Sequence, residues 1–316
     1  MQETRTDPLI IGTRGSRLAM WQAEEVQRVL PTEARLEIIR TSGDRIQDVS
    51  LQGGSTTGFF TREIEEHLLA GDIDLAVHSF KDLPTTLDPR LVIAACLPRA
   101  SVTDLLLVHP DWLGEDGGLL PIKPGCLVGA GSLRRQALVR LYRPDAEPAL
   151  IRGNVPTRIR KCVEGQYGAI VMARAGIERL ALDTDPLVVF ELDPALWLPA
   201  PAQGAVAIEI RTDDARTRAA VEAIDHSSTS AAVALERRLL AAFEGGCHTA
   251  FGAHVVAQGT GWRAAIGIDR PDGSGWGQRV YTGTSADLAA LGPDNIPQMT
   301  PETVAGQEAL CRPWRR

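Results

Sequence analysis

The sequence is short of the features that betray several common classes of protein. Five cysteines, at positions 96, 126, 162, 247 and 311, form no CxxC pair and leave an odd count, which argues against both a disulfide framework and a thiolate metal site. No HExxH or other metal-ligand spacing occurs, and the phosphate-loop and GxGxxG fingerprints are missing. The N-terminal residues Met1 to Asp7 carry no apolar run of the kind a signal peptide or membrane span needs, so a cytoplasmic protein is expected. Positive charge is also in deficit. A net charge of −7 argues against broad nucleic-acid binding. There is no internal repeat. With 44% hydrophobic, 23% charged and only 5% aromatic residues, the 316-residue chain is an ordinary globular protein of two or three domains with ample core.

What is present begins with Glu244-Gly245-Gly246-Cys247-His248-Thr249, placed just after a strongly helical run. Two glycines before a cysteine let the backbone leave the helix through a left-handed turn and lift one thiol into a loop, where it can react. Cys247 is therefore the candidate for covalent chemistry, although a cysteine after a helix also suits simple packing. The other four thiols are read as structural, as are His78 and His248.

The pattern of apolar residues predicts alternating strands and helices. Leu9 to Ile11 reads as a strand running through a Gly-Thr-Arg-Gly turn into a helix from Ser16 to Leu30, before Pro31. A strand at 36–41 precedes the glycine- and threonine-rich stretch Gln52 to Gly58, which is too polar to pack and reads as a mobile loop. A helix over 60–70 ends at Gly71, and a strand over 73–77 delivers His78-Ser79-Phe80-Lys81-Asp82 at its carboxyl end. Strands at 127–129, 149–151 and 169–172 then alternate with helices at 133–142, after 156, and at 175–180. A long helix over 227–243 leads to a β-rich end with a hairpin turn at Asp272-Gly273. This order implies α/β units with parallel sheets. Candidate boundaries fall near 97–104, 198–202 and 225.

Arginines gather where helices begin. Arg14 lies in a strand-to-helix turn, Arg134 and Arg135 follow the N-cap candidate Ser132, and Arg152 and Arg158 bracket another helix start. Helix N-termini present unpaired N–H groups and a positive dipole end, and a guanidinium adds a fork for carboxylate or phosphate. Three such starts in α/β units point to a poly-anionic ligand at the carboxyl ends of the strands. Ordinary salt bridges remain an alternative for any one of these arginines. Asp82, after Lys81 and two residues before Pro84, is placed to stabilise a developing positive charge and to pass a proton. The same spacing also suits an Asx turn or a helix cap.

Six segments together carry a family resemblance: GTRGSRLA at 12–19, AVHSFKDLP at 76–84, GSLRRQ at 131–136, RGNVPTRI at 152–159, PAQGAVAIE at 201–209 and EGGC at 244–247. In this order they resemble the porphobilinogen deaminase (hydroxymethylbilane synthase) family over nearly the whole chain. The resemblance implies two periplasmic-binding-protein-like α/β domains around a cleft plus a small α+β C-terminal domain. Residues 1–102 and 201–224 would form domain 1, 103–200 domain 2 and 225–316 domain 3. It further implies a monomer that adds four porphobilinogens to a dipyrromethane cofactor held by Cys247 through a thioether, then releases hydroxymethylbilane for tetrapyrrole synthesis. Asp82 matches the catalytic aspartate. Lys81, Ser132, Arg134 and Arg135 match cofactor-binding positions, and Arg14, Ser16, Arg152 and Arg158 match substrate-binding ones; no metal is implied.

The chain departs from the family pattern at several places. Thr57 stands where a lysine is usual, Ser42 replaces the arginine of TRGD, and Ala130-Gly131 replace two hydroxyl residues before Ser132. The segment beyond Gly252 is weakly matched. A divergent low-activity paralogue, or a two-lobed binding protein for a small anion, would carry many of the same residues.

Overall fold

The computed structural model describes residues 7–40, 61–114, 119–243, 250–270, 275–292 and 310–314. Its chain clusters into two compact units, one of residues 1–100 and 204–231 and one of residues 101–203 and 232–316.

The first unit is built on a five-stranded sheet. Its elements are β1 (Leu9–Arg14), α1 (Arg17–Val29), β2 (Ala34–Ile39), α2 (Arg62–Ala70), β3 (Leu75–Ser79), β4 (Leu91–Cys96), and, after the excursion into the second unit, β10 (Val206–Arg211) and α6 (Ala215–Glu222). The strand order is β2-β1-β3-β10-β4. Alternating side chains send Leu9, Ile11, Leu75, Val77, Ile208 and Ile210 to one face, with Val26 of α1 and Val221 of α6. Ala76 and Ile39 instead share the other face with Ile64 and Leu68, which lie one helical turn apart on α2. Ile64 and Leu68 are fully buried, and each contributes about 1.5–3 kcal/mol by leaving water.

The second unit holds β5 (Asp104–Val108), β6 (Leu127–Ala130), α3 (Leu133–Tyr142), β7 (Glu147–Leu150), α4 (Val155–Val163), β8 (Ala169–Ala173), α5 (Arg174–Arg179), β9 (Val188–Leu192) and β14 (Cys311–Pro313). These strands form a six-stranded sheet in the order β14-β9-β5-β8-β6-β7. On β5, Leu105 and Leu107 feed one core while Leu106 and Val108 feed the other, so the strand is buried on both faces. The same unit contains α7 (Ser227–Phe243) from residue 232 onward and an antiparallel sheet of β11 (Phe251–Gln258), β12 (Gly261–Arg270) and β13 (Gly275–Gly283). One face of that sheet packs Phe251, Val255 and Ile266 against Leu235, Leu239 and Phe243 of α7. Ala265 and Trp276 join the core of Leu138, Tyr142 and Trp197 instead.

Three expectations are corrected. The sheets are mixed rather than parallel, because β10 runs antiparallel to both β3 and β4, and β5 antiparallel to β8 and β9. Parallel pairing survives where a helix returns the chain to the same end, as between β1 and β3 and between β6 and β7. β1 runs to Arg14 rather than ending at Ile11, since its ladder with β2 continues to the Arg14–Ile39 pair. β3 begins at Leu75 rather than at Ile73, because the Asp74 carboxylate instead accepts from Ile10 N–H at 2.8 Å. The loop expected over 52–58 and the turn expected at Asp272-Gly273 lie outside the described residues.

Candidate active site

In the first unit, β1 and β3 are parallel neighbours, so their carboxyl ends lie side by side. Gly12 is packed closely, as a Cβ there would collide with Ile73 Cδ1. Thr13, fully buried, donates through Oγ1 to Ala19 carbonyl at 3.2 Å, and Ser16 Oγ caps α1 by accepting from Ala19 N–H at 3.3 Å. The turn is thereby fastened to the helix it begins. It leaves Arg14 half-buried at the strand end.

β3 continues into a single 3₁₀ turn, Phe80–Asp82. Phe80 and Leu83 are buried on either side, and Phe80 N–H donates to Ala205 carbonyl at 3.1 Å. Pinned at both ends, the turn keeps Lys81 half-buried and Asp82 exposed. Beneath it, the Gln22 amide exchanges hydrogen bonds with Ser79 Oγ at 2.9 and 3.0 Å. His78 Nε2 lies 3.1 Å from Glu209 Oε2, both side chains being almost wholly buried. Burial, together with the charge of Glu209, pushes the neighbouring Glu65 carboxyl above the usual carboxylate range. Sequence reasoning missed Gln22 and Glu209. A carboxylate within the apolar run of β10 was the available signal for the second.

In the second unit, β6 and β7 are parallel neighbours and present their carboxyl ends together. Ser132 is extended (φ −148°, ψ 154°), and its Oγ accepts from Arg135 N–H at 3.4 Å as the cap of α3. Asn154 caps α4 in the same way, its Oδ1 accepting from Thr157 N–H at 3.0 Å. Arg152 is exposed just before that cap, and half-buried Arg158 donates through Nε to Gly153 carbonyl at 2.7 Å.

Arg134 and Arg135 differ from the simple expectation of forks turned toward a ligand. Asp104, with no exposed surface, receives Arg135 Nε and Nη2 at 3.0 and 2.7 Å and Arg134 Nη2 at 2.9 Å. Trp197 Nε1 and Gln203 Nε2 complete its shell at 3.0 and 2.9 Å. Burial alone would raise this carboxyl, yet the charges of Arg135 and Arg134 hold it well below the usual carboxylate range. The physical reason is that two adjacent guanidiniums cannot be buried side by side without a counter-ion. Sequence reasoning missed Asp104 too, although a carboxylate heading the apolar run Leu105 to Val108 marks it.

The structure thus brings Arg14, Ser16, Lys81 and Asp82 to one sheet end of the first unit, and Ser132, Arg134, Arg135, Arg152 and Arg158 to one sheet end of the second. Cys247 lies outside the described residues. Among the described residues Asp104 is the buried carboxylate that answers Arg134 and Arg135, and Arg134 Nε is buried without a hydrogen-bond partner. Such a donor set fits a group bearing several carboxylates, as a dipyrromethane with acetate and propionate arms does. Among the described residues no helix is long and apolar enough to cross a membrane.

The family model described as porphobilinogen deaminase, dipyromethane cofactor binding domain, matches residues 9–219. A porphobilinogen deaminase of Nitrobacter hamburgensis is 44% identical over 291 residues, covering 90% of each chain. One from Nitratidesulfovibrio vulgaris is 42% identical over 257 residues, 79% of each chain. A probable porphobilinogen deaminase of Methanosarcina acetivorans is 42% identical over 252 residues, 78% of this chain and 76% of its own. A solved substrate-binding protein of an amino acid ABC transporter overlaps loosely, with a TM-score of 0.37 and 11% identity over 69% of this chain and 91% of that one. With the family model spanning most of the chain and relatives above 40% identity over three quarters of it or more, the chain belongs to the porphobilinogen deaminase family.

Proposed function

We propose that this chain is a hydroxymethylbilane synthase, a transferase that joins four porphobilinogen molecules head to tail and releases the linear product by hydrolysis. The observation that carries the reading is the pinned Phe80–Asp82 turn, which exposes a carboxylate beside Lys81 and at the sheet end that also holds Arg14, in a chain of this family. A dipyrromethane held by Cys247 through a thioether supplies, when bound, the free pyrrole carbon at which growth begins.

The chain's own residues do the rest. Porphobilinogen loses its aminomethyl nitrogen as ammonia, which breaks a C–N bond and leaves a delocalised cation. Asp82 offers that cation a fixed negative charge without a bond that would quench it. Asp82 is also placed to take up the proton that C–C bond formation would release and to return it to the ammonia set free, so that charge balances as ammonium. Arg14, Ser16, Arg152 and Arg158 hold substrate carboxylates, and Lys81 and Ser132 hold those of the cofactor. Arg134 and Arg135, of whose two positive charges Asp104 answers one, act as a rigid floor for the cofactor's carboxylates. The enzyme works as a monomer in the cytoplasm, without metal, membrane or nucleic acid.

Intact-mass measurement of the purified protein, followed by incubation with porphobilinogen, tests this. A covalent adduct of two pyrrole units mapped to Cys247, with release of bilane, is expected. A chain without adduct that releases no bilane overturns the reading.

A further inference from the structure

The six-stranded sheet of the second unit is closed at one edge by its shortest strand. β14 has three residues and runs antiparallel to β9, with Cys311 opposite Leu192, Arg312 opposite Glu191 and Pro313 opposite Phe190. The ladder continues on either side, where Leu310 carbonyl accepts from Asp193 N–H at 2.9 Å and Trp314 N–H donates to Val189 carbonyl at 3.0 Å. Hydrogen bonding toward β9 therefore falls at alternate residues that include 310 and 314, and Pro313 stands where the backbone nitrogen faces away from β9. Proline there, beside the largely exposed Arg312 side chain, blunts the outer edge against further strands. Without β14 the apolar run Val188 to Phe190 would form that edge instead.

The segment is anchored on both faces of the sheet. Leu310 is buried in the core of Leu106, Val108 and Trp197, while Trp314 packs against the core of Leu105 and Leu107. The contact that reaches furthest is the one at Asp193. Its carbonyl accepts from Leu196 N–H at 3.0 Å and Trp197 N–H at 2.7 Å, and its Oδ1 accepts from Ala195 N–H at 2.8 Å. Asp193 thereby organises the turn that brings Trp197 Nε1 to Asp104 Oδ2. Tyr142 and Gln278 hold the middle of that turn at the Leu196 and Ala195 carbonyls, and Leu310 holds its first residue. So short a strand opens more easily than the core of its sheet. Losing it would remove both the hydrogen bond from Asp193 and the packing of Leu310 beside Trp197.

We propose that residues 310–314 are a positioning strap for the cofactor-binding arginines: seated on the edge of β9, the strap fixes Asp193, Asp193 fixes Trp197 on Asp104, and Asp104 fixes Arg134 and Arg135. The edge of β9 is thus a strand-accepting surface whose occupant is this segment, and the same segment offered as a separate peptide should fill it. Assigning the effect to cofactor loading rests on the proposed function. The strap's hold on Trp197 does not.

Three variants test the strap. One is a chain ending at residue 309, one is Arg312→Pro, which removes a ladder N–H while leaving the buried side chains in place, and one is Arg312→Ala, which keeps the ladder and loses only an exposed ion pair. Hydrogen exchange of the Trp197 indole N–H and the Asp193 amide is followed by nuclear magnetic resonance. Intact mass gives the fraction of protein, expressed without porphobilinogen, that forms the covalent pyrrole adduct when porphobilinogen is added. The first two variants should exchange at both positions about tenfold faster or more, and load about threefold less adduct in the same time. Arg312→Ala should stay within about twofold of wild type. A peptide of residues 308–316, added in excess to the chain ending at 309, should restore both readouts. If that chain does not fold, Arg312→Pro alone decides. Unchanged Trp197 exchange in a variant whose β9 amides have become exchangeable would overturn the strap, because the segment would then only cover an edge. Normal adduct formation alongside fast indole exchange would overturn it too. Wild-type protein that forms no adduct at all would instead overturn the proposed function.

Discussion

Arg135 presents Nε and Nη2 together to Asp104, at 3.0 and 2.7 Å, so the fork that the sequence offers to a ligand is closed first on a carboxylate of the protein itself. Arg134 joins from the next position with Nη2 on the same group and Nη1 on Leu198 carbonyl. The helix start at Ser132 in the second unit is therefore built on a buried ion cluster.

Removing the counter-ion should be costly. Asp104→Asn leaves two buried guanidiniums without their charge partner, and a loss of about 3–5 kcal/mol in urea unfolding at neutral pH is expected. The pH dependence has a definite sign. The folded carboxyl is depressed, so its stabilisation is complete above the unfolded value of about 3.9 and is lost as pH falls below it toward the folded value. Wild type should lose stability below about pH 4 more steeply than Asp104→Asn. Parallel pH profiles, or a loss under about 1 kcal/mol, would remove Asp104 from this role.

Asp82 is exposed on a turn held by Phe80 and Leu83, so its side chain can be changed without disturbing a core. Asp82→Asn is expected to keep the fold and the covalent adduct while slowing bilane formation by on the order of a hundredfold or more, the usual consequence of deleting a preorganised charge. Thermal unfolding, intact mass and steady-state rate measure the three parts. Activity within about threefold of wild type would contradict it.

The thiols should separate cleanly. Burial pushes the thiol of Cys126 up to about 11 and those of Cys162 and Cys311 up to about 12, and Cys96 is also buried. Thiolate is the reactive form, so these four should resist maleimide at pH 8 in the folded protein. Cys247→Ser should fold, lack the pyrrole adduct and make little bilane. An adduct mapped to one of the other four thiols would sink the assignment of Cys247.

Glu65 gives a second test of linkage with the opposite sign. Its raised folded value means that the folded state binds more protons than the unfolded one above about pH 4.3, so stability falls as pH rises through that range. The groups acting on it are Glu209, His78, Asp88 and the Thr61 hydroxyl. Glu65→Gln should melt higher than wild type at pH 7 and match it near pH 4. An equal or lower melting temperature at pH 7 would show that Glu65 is charged there without penalty.

Much of this was written locally. Ser16, Ser132 and Asn154 each cap the helix that follows them, and the apolar spacing of Ile64 and Leu68 marks the buried face of α2, because caps and helix faces depend on residues three or four apart. Motif order along the chain was enough to name the family and to single out Asp82 and the arginines. Strand direction was not local. β10 pairs with β3 from more than a hundred residues away, and nothing within either segment specifies that they run antiparallel. The partners of charged groups were equally hidden. Asp104 meets Arg134 and Arg135 from β5, Trp197 from the turn after β9 and Gln203 from the segment before β10. A sequence shows which side chains can carry charge and where helices can bind anions. Only the packing of distant strands decides which of those charges are answered inside the protein and which remain for a ligand, since burial and distance set the strength of every such pair.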